Sequence, residues 1–147
     1  MRILFVVLVV FCLVSPYSAQ GRRTIDRAVE VEVMQVLDAF IGAFNSRDLE
    51  AQERVMHFPH YRLAGGLMTV LERPGTESRI VPLEQEWHHT KWDRREVIGW
   101  SDEKVHVNTQ FTRYRNDGTP TSSFESLYVL TKEDGRWGIK TRSSFAP

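Results

Sequence analysis

A chain of 147 residues, 41% hydrophobic and 26% charged, can build one domain with a real core and is too short for two. Its 19 basic and 19 acidic residues cancel, so there is no electrostatic case for a nucleic-acid or anionic-membrane partner. The single cysteine, Cys12, excludes an internal disulfide framework.

The first stretch, MRILFVVLVVFCLVSPYSAQ, carries one early positive charge, Arg2, then an apolar run from Ile3 to Val14, then small and turn-forming residues. That run is well short of the roughly 20 residues a bilayer-crossing helix needs, so residues 1–19 read as a signal peptide cleaved after Ala19. Tyr17 is bulky for the position two before that cut, and an uncleaved membrane anchor is the alternative. Phe11 directly before Cys12 argues against a lipoprotein. Cleavage removes only Arg2 from the charge count, leaving 18 basic against 19 acidic residues and a net charge of −1. It leaves an exported domain over residues 20–147 without cysteine, which suits an oxidising compartment and does not demand one.

From Thr24 the apolar residues fall at Ile25, Val29, Val33, Val36, Leu37, Phe40 and Phe44. Steps of three and four make one helix face over about five or six turns. Asn45 suits its C-terminal end, and Asp48 caps a second, shorter helix through Met56. Pro59 forbids helix through HFPHYRL, which reads as a strand turning at Gly65–Gly66 and returning as LMTVLE. RPGTES is a loop. Pro82 opens a third helix, PLEQEWHHTKW, with Leu83, Glu86 and Trp87 near one face.

After it the period changes to two. REVIGW is a strand, SDEK a turn, and KVHVNTQFTRYR alternates Val105, Val107, Thr109 and Phe111 with His106, Asn108, Gln110 and Thr112. RNDGTP and EDGR are Asp-Gly hairpin turns flanking the strand SSFESLYVLTK, and RWGIKTRSSF closes the series. Helices first, then a meander of long antiparallel strands, indicate an α+β fold.

The helix end FNSRDLEA, with Asn45, Asp48 and Leu49, and the hairpin DGRWGIKTRSSF, with Gly135, Trp137 and Ile139, carry a resemblance. Together with the order of elements from Thr24 to Phe145, they resemble the nuclear transport factor 2-like superfamily, nearest its SnoaL-like branch. The resemblance implies N-terminal helices packed into a strongly curved antiparallel sheet, a cone with an apolar internal pocket. It also implies dimerisation through the outer sheet face. The superfamily holds isomerases, dehydratases, cyclases and epoxide hydrolases as well as non-catalytic binders, so activity must be argued from the residues.

In proton-abstracting members the base often lies on the first strand after the second helix, where this chain has His57 and His60. Steroid isomerase-like members use an aspartate there, and HFPHYRL has no carboxylate. A histidine can give or take a proton at neutral pH. The two histidines are an odd number apart, so without a bulge only one faces the pocket. We expect that one to be His60, as general base, with Arg62 on its face and Tyr128 steadying an oxyanion. His57, Trp87 and His106 are further candidates for ligand contact. The plain readings set beside these are structural histidines, a packed tyrosine, and a solvated or dimer-facing row of His106, Asn108 and Gln110.

Asp38 is expected at the surface, and Trp137, Ile139 and Phe145 in the packing. His88 and His89 are neighbours without the spacing of a zinc motif, so no metal is expected. Gly65–Gly66 and Gly75 lack the context of a phosphate loop, and no serine or cysteine nucleophile is supported. The expectation is an exported, homodimeric, cofactor-independent domain whose apolar pocket binds a small apolar or amphipathic ligand. The alternatives are a lyase or isomerase and a protein-interaction module.

Overall fold

The computed structural model describes residues 24–75 and 86–147. The expected signal segment and its cleavage site lie outside the described residues.

Helix α1 (Arg27–Ser46) starts where Asp26 accepts a hydrogen bond from Ala28 N at 2.7 Å. Its stripe buries Val33, Leu37, Phe40 and Ala43, while Ile25, Val29 and Val36 pack partly against the same core. Arg47, at φ 59°, makes the left-handed turn that ends the helix. Asn45 therefore does not terminate α1. Its side chain instead grips the backbone of Thr90, donating from Nδ2 to the carbonyl at 2.9 Å and accepting at Oδ1 from the amide at 2.8 Å. Asn45→Ala would leave two half-buried backbone groups without that partner, and a loss of about 1–2 kcal/mol is expected in urea unfolding. A loss near zero would mean that water replaces the clamp.

Asp48 caps α2 (Leu49–Arg54) by accepting from Ala51 N at 2.9 Å. The strands follow as β1 (Met56–Ala64), β2 (Leu67–Leu71), β3 (His89–Trp100), β4 (Lys104–Tyr114), β5 (Pro120–Glu133) and β6 (Arg136–Ser144). They form one sheet in the order β2-β1-β6-β5-β4-β3. The turn between β5 and β6 has both Asp134 (φ 51°) and Gly135 (φ 76°) left-handed, the geometry an Asp-Gly hairpin favours.

Beyond the helix ends, where α2 stops at Arg54 and Met56 opens β1, the structure departs from the sequence reading in three further places. The sheet is mixed, because β1 runs parallel to β6. The expected third helix lies partly outside the described residues. From Glu86 its remainder is a turn, and His89 to Trp92 is the start of β3. There His89, Thr90, Lys91 and Trp92 pair with Tyr114, Arg113, Thr112 and Phe111, covering an end of β4 that a strand starting at Arg95 would leave bare. Finally, Phe145 is 81% exposed, since β6 ends at Ser144 and the chain turns outward.

The core lies between α1 and the inner sheet face. Val33, Leu37 and Phe40 meet Met56, Val105, Val107, Tyr128, Leu130, Trp137 and Ile139. The outer face carries His106, paired with Val129, and Asn108, paired with Leu127. Asp38 is exposed and bonds Arg95 at 2.7 Å.

Candidate functional site

At one end of the inner face a cavity opens between the C-terminal half of α1 and the sheet. Phe40, Ile41 and Phe44 of α1 form one wall; Arg62, Thr90, Phe111, Arg113, Tyr128, Arg142 and Ser144 line the sheet side, with Ala146 and Pro147 at the rim. Its enclosed part is small, about 50 Å³, and opens into about 490 Å³ of space once the mouth is counted.

Strand register explains why these side chains converge. Arg142 of β6 is paired with Arg62 on β1 and with Tyr128 on β5, so the three form one cross-strand row on the inner face. Arg113 continues the stripe of Val105, Val107, Thr109 and Phe111 by two more residues along β4. Arg113 and Arg142 are only 3% and 8% exposed. Each is laid over a ring, Arg113 on Phe124 at 4.9 Å and Arg142 on Phe40 at 5.2 Å, which holds the guanidinium in place. The described residues lining the cavity include no carboxylate side chain.

Tyr128 is buried, edge-on to Phe40 at 5.9 Å and to Trp92 at 5.6 Å. Burial raises its pKa, and Arg142, which also hydrogen-bonds it, and Arg62 pull the other way. Tyr128 is thus a neutral donor at physiological pH. Trp87 stands behind the wall, donating from Nε1 to Thr90 Oγ1 at 2.9 Å and edge-on to Phe44 at 5.3 Å. It supports the cavity without lining it.

The histidines lie elsewhere. His60 is fully buried one inner-face step from Arg62 and does not line the cavity. Its Nδ1 donates to the Ile139 carbonyl at 3.0 Å, which fixes the proton there, and its Nε2 is buried with no hydrogen-bond partner. Burial first, then Arg142, Arg62 and Lys140 against the opposing Ile139 hydrogen bond, bring its pKa down to about 4. His57 is buried too, against Thr131, and its pKa is lowered chiefly by burial, with Glu133 pulling it up. Its Nδ1 donates to Thr131 Oγ1 at 3.0 Å, and that hydroxyl donates to Glu133 at 2.8 Å. His106 sits on the outer face, away from the cavity. Among the described residues no three histidine, cysteine, aspartate or glutamate side chains are grouped to hold a metal.

Of the expected site residues, then, Arg62 and Tyr128 reach the cavity wall, and His57, His60, Trp87 and His106 do not. The sequence reading gave no role to Arg113, nor to Arg142 on the last strand. The signal was available for Arg113, an arginine on the buried parity of an otherwise apolar strand.

A family model described as NTF2-like protein (DUF6841) matches residues 30–144. The chain belongs to this NTF2-like family. Among solved structures it is similar to a cystatin-like protein of unknown function from Nostoc punctiforme, with a TM-score of 0.70 at 11% identity over 83% of this chain and 93% of that one. It is also similar to a ketosteroid isomerase-like protein from Erwinia carotovora, with a TM-score of 0.57 at 16% identity over 78% and 93%. The association domain of CaMKII from C. elegans aligns with a TM-score of 0.60 at 13% identity over 81% and 96%. At these identities the likeness is one of fold. Comparison with curated proteins finds no match.

Proposed function

We propose that this NTF2-like domain binds a small molecule in the cavity between α1 and the sheet, and that it does so as an exported protein. The observation that carries the reading is the row Arg62–Arg142–Tyr128 facing an aromatic wall of Phe40 and Phe44. A few polar groups set in a largely apolar concavity orient a ligand whose body is apolar. The export part rests on residues 1–19 and is tested by sequencing the N-terminus of the mature protein, which should begin at Gln20.

Native mass spectrometry of protein purified from its source should reveal a bound small molecule. An Ile41→Trp variant, whose indole fills the cavity at α1, should lose it. If neither protein carries a ligand and no compound in a small-molecule collection raises the melting temperature of the wild type, the reading fails.

A lyase or isomerase has less support. Its general base was to be His60, which is held as a weak base behind Arg62 with Nδ1 committed to Ile139.

A further inference from the structure

We propose that Phe145–Pro147 is a strap across the mouth of this cavity, which must lift before a ligand can enter. The inference rests on the binding reading above and names how that site is regulated.

The closed site is too small for the kind of ligand it would hold. About 50 Å³ is enclosed, room for a few waters. Pockets that bury a small organic molecule run from about 300 Å³ upward. Some part of the wall therefore moves on binding. One side belongs to α1, whose Leu37 and Phe40 are fixed in the core. The other is tied strand to strand, with Arg142 paired to both Arg62 and Tyr128. Among the described lining residues, Ala146 and Pro147 alone lie outside these elements.

Their attachment is slight. The last ladder partners of β6 are Ala64 and Ser126, both opposite Ser144. Beyond them Phe145 N donates to the Glu125 carbonyl at 3.1 Å, and Ala146 N to Ser144 Oγ at 3.1 Å. Arg62 Nη2 reaches the Pro147 carbonyl at 3.5 Å, long for a hydrogen bond. The side chain that the strap buries is the Ala146 methyl, 4% exposed, while the Phe145 ring stays in water. Lifting the strap uncovers that methyl and breaks no pairing between strands.

Two of these holds are themselves cavity groups. Ser144 and Arg62 both line the space that the strap covers. A ligand that bonds either one competes with the strap for it, so binding and lifting are coupled.

The test uses N-phenyl-1-naphthylamine, a neutral apolar dye whose fluorescence rises out of water. Stopped-flow mixing compares the wild type, a chain ended after Ser144, and Ala146→Lys. The lysine cation cannot stay in that buried place beside the arginines of the cavity. Circular dichroism and thermal melting check each fold. Both changes should speed association about tenfold or more, since a closed strap lowers apparent binding by its open fraction. Adding Ile41→Trp should abolish binding in every background.

A second measurement needs no strap variant. In the wild type, saturating dye should speed hydrogen exchange at Ala146 N, because that amide leaves Ser144 Oγ when the strap lifts. Equal association with and without the strap, still blocked by Ile41→Trp, overturns the strap and leaves the cavity reading standing. Unchanged or slower exchange at Ala146 in the bound protein does the same. Dye that binds despite Ile41→Trp sits outside the cavity, and that too overturns the strap. If no dye binds even with the strap removed, the strap is not the barrier. The cavity reading then stands or falls by its own mass spectrum.

Discussion

Gly138→Ala is expected to cost about 2–3 kcal/mol of unfolding free energy, the upper part of the range for overfilling a packed site. A Cβ at this position would stand 2.7 Å from His57 Nε2, 2.8 Å from Cδ2 and 2.9 Å from Cε1, so it meets the whole ring rather than its tip. The backbone itself would accept alanine, since Gly138 is not among the glycines with positive φ. On backbone grounds alone the change should even stabilise slightly, by restricting the unfolded chain. What opposes it is that His57 has nowhere to go. It is 4% exposed and tied through Nδ1 to Thr131, the residue paired with Gly138 across β5 and β6.

Moving the ring breaks that hydrogen bond inside the protein; leaving it in place parts β1 from β6. A double-mutant cycle in urea separates steric conflict from any general effect of alanine. In a His57→Ala background, Gly138→Ala should cost less than about 0.5 kcal/mol, because the clash is gone. An equal loss in both backgrounds would sink the account.

The second large effect is a loss of stability in mild acid. In the unfolded chain His60 takes a proton near pH 6.5; in the folded protein it does so only near pH 4. Between these values the unfolded state holds more protons, so stability rises with pH and falls on acidification. The gap amounts to about 3 kcal/mol, fully present above pH 6.5 and lost by about pH 4.

The physical cause is local. A charged imidazole at His60 would be buried among Arg142, Arg62 and Lys140, with the Ile139 carbonyl alone favouring it. His60→Asn keeps an N–H for that carbonyl and cannot titrate. Unfolding free energies measured from pH 7 to pH 4 should therefore fall by about 3 kcal/mol more in the wild type than in the variant. Parallel curves would mean that His60 titrates normally, and would remove the burial argument with it.

The sequence made the local elements legible because their signals are local. The α1 stripe, the Asp48 cap and the Asp-Gly turn at Asp134–Gly135 each depend on residues a few positions apart. The alternation of β4 also put Val105, Val107, Thr109 and Phe111 on the buried face, where they are found. His57 and His60 are both buried, and β1 shifts register between Met56 and Tyr61, so their odd spacing does not decide their faces. What could not be read is set by partners distant in the chain. Trp87 to Trp92 suits a helix by composition, and only the length of β4 makes a strand of its second half. Nothing near His57 announces that Gly138 lies beneath its ring.

The cavity shows the same limit more sharply. Arg62 and Tyr128 were legible as candidates because each alternates onto the inner face of its own strand. Their convergence depends on Arg142, the residue between them, and on the pairing of β1 with β6, which no local pattern encodes. The histidines looked more reactive in sequence than they are in place, because sequence records a side chain's chemistry and not its solvent.

The β1–β6 pairing also governs when the protein can exist at all. Met56 and Ile139 are partners across more than half of the chain, and β1 has no other neighbour but the short β2. A two-stranded hairpin of this kind is marginal by itself in water. During synthesis β1 and β2 must therefore wait, unprotected, until β6 has been made, and α1 waits with them for the far wall of its core. A growing chain that stays unfolded until so late remains threadable throughout its synthesis, and it depends for that interval on whatever holds its apolar strands apart.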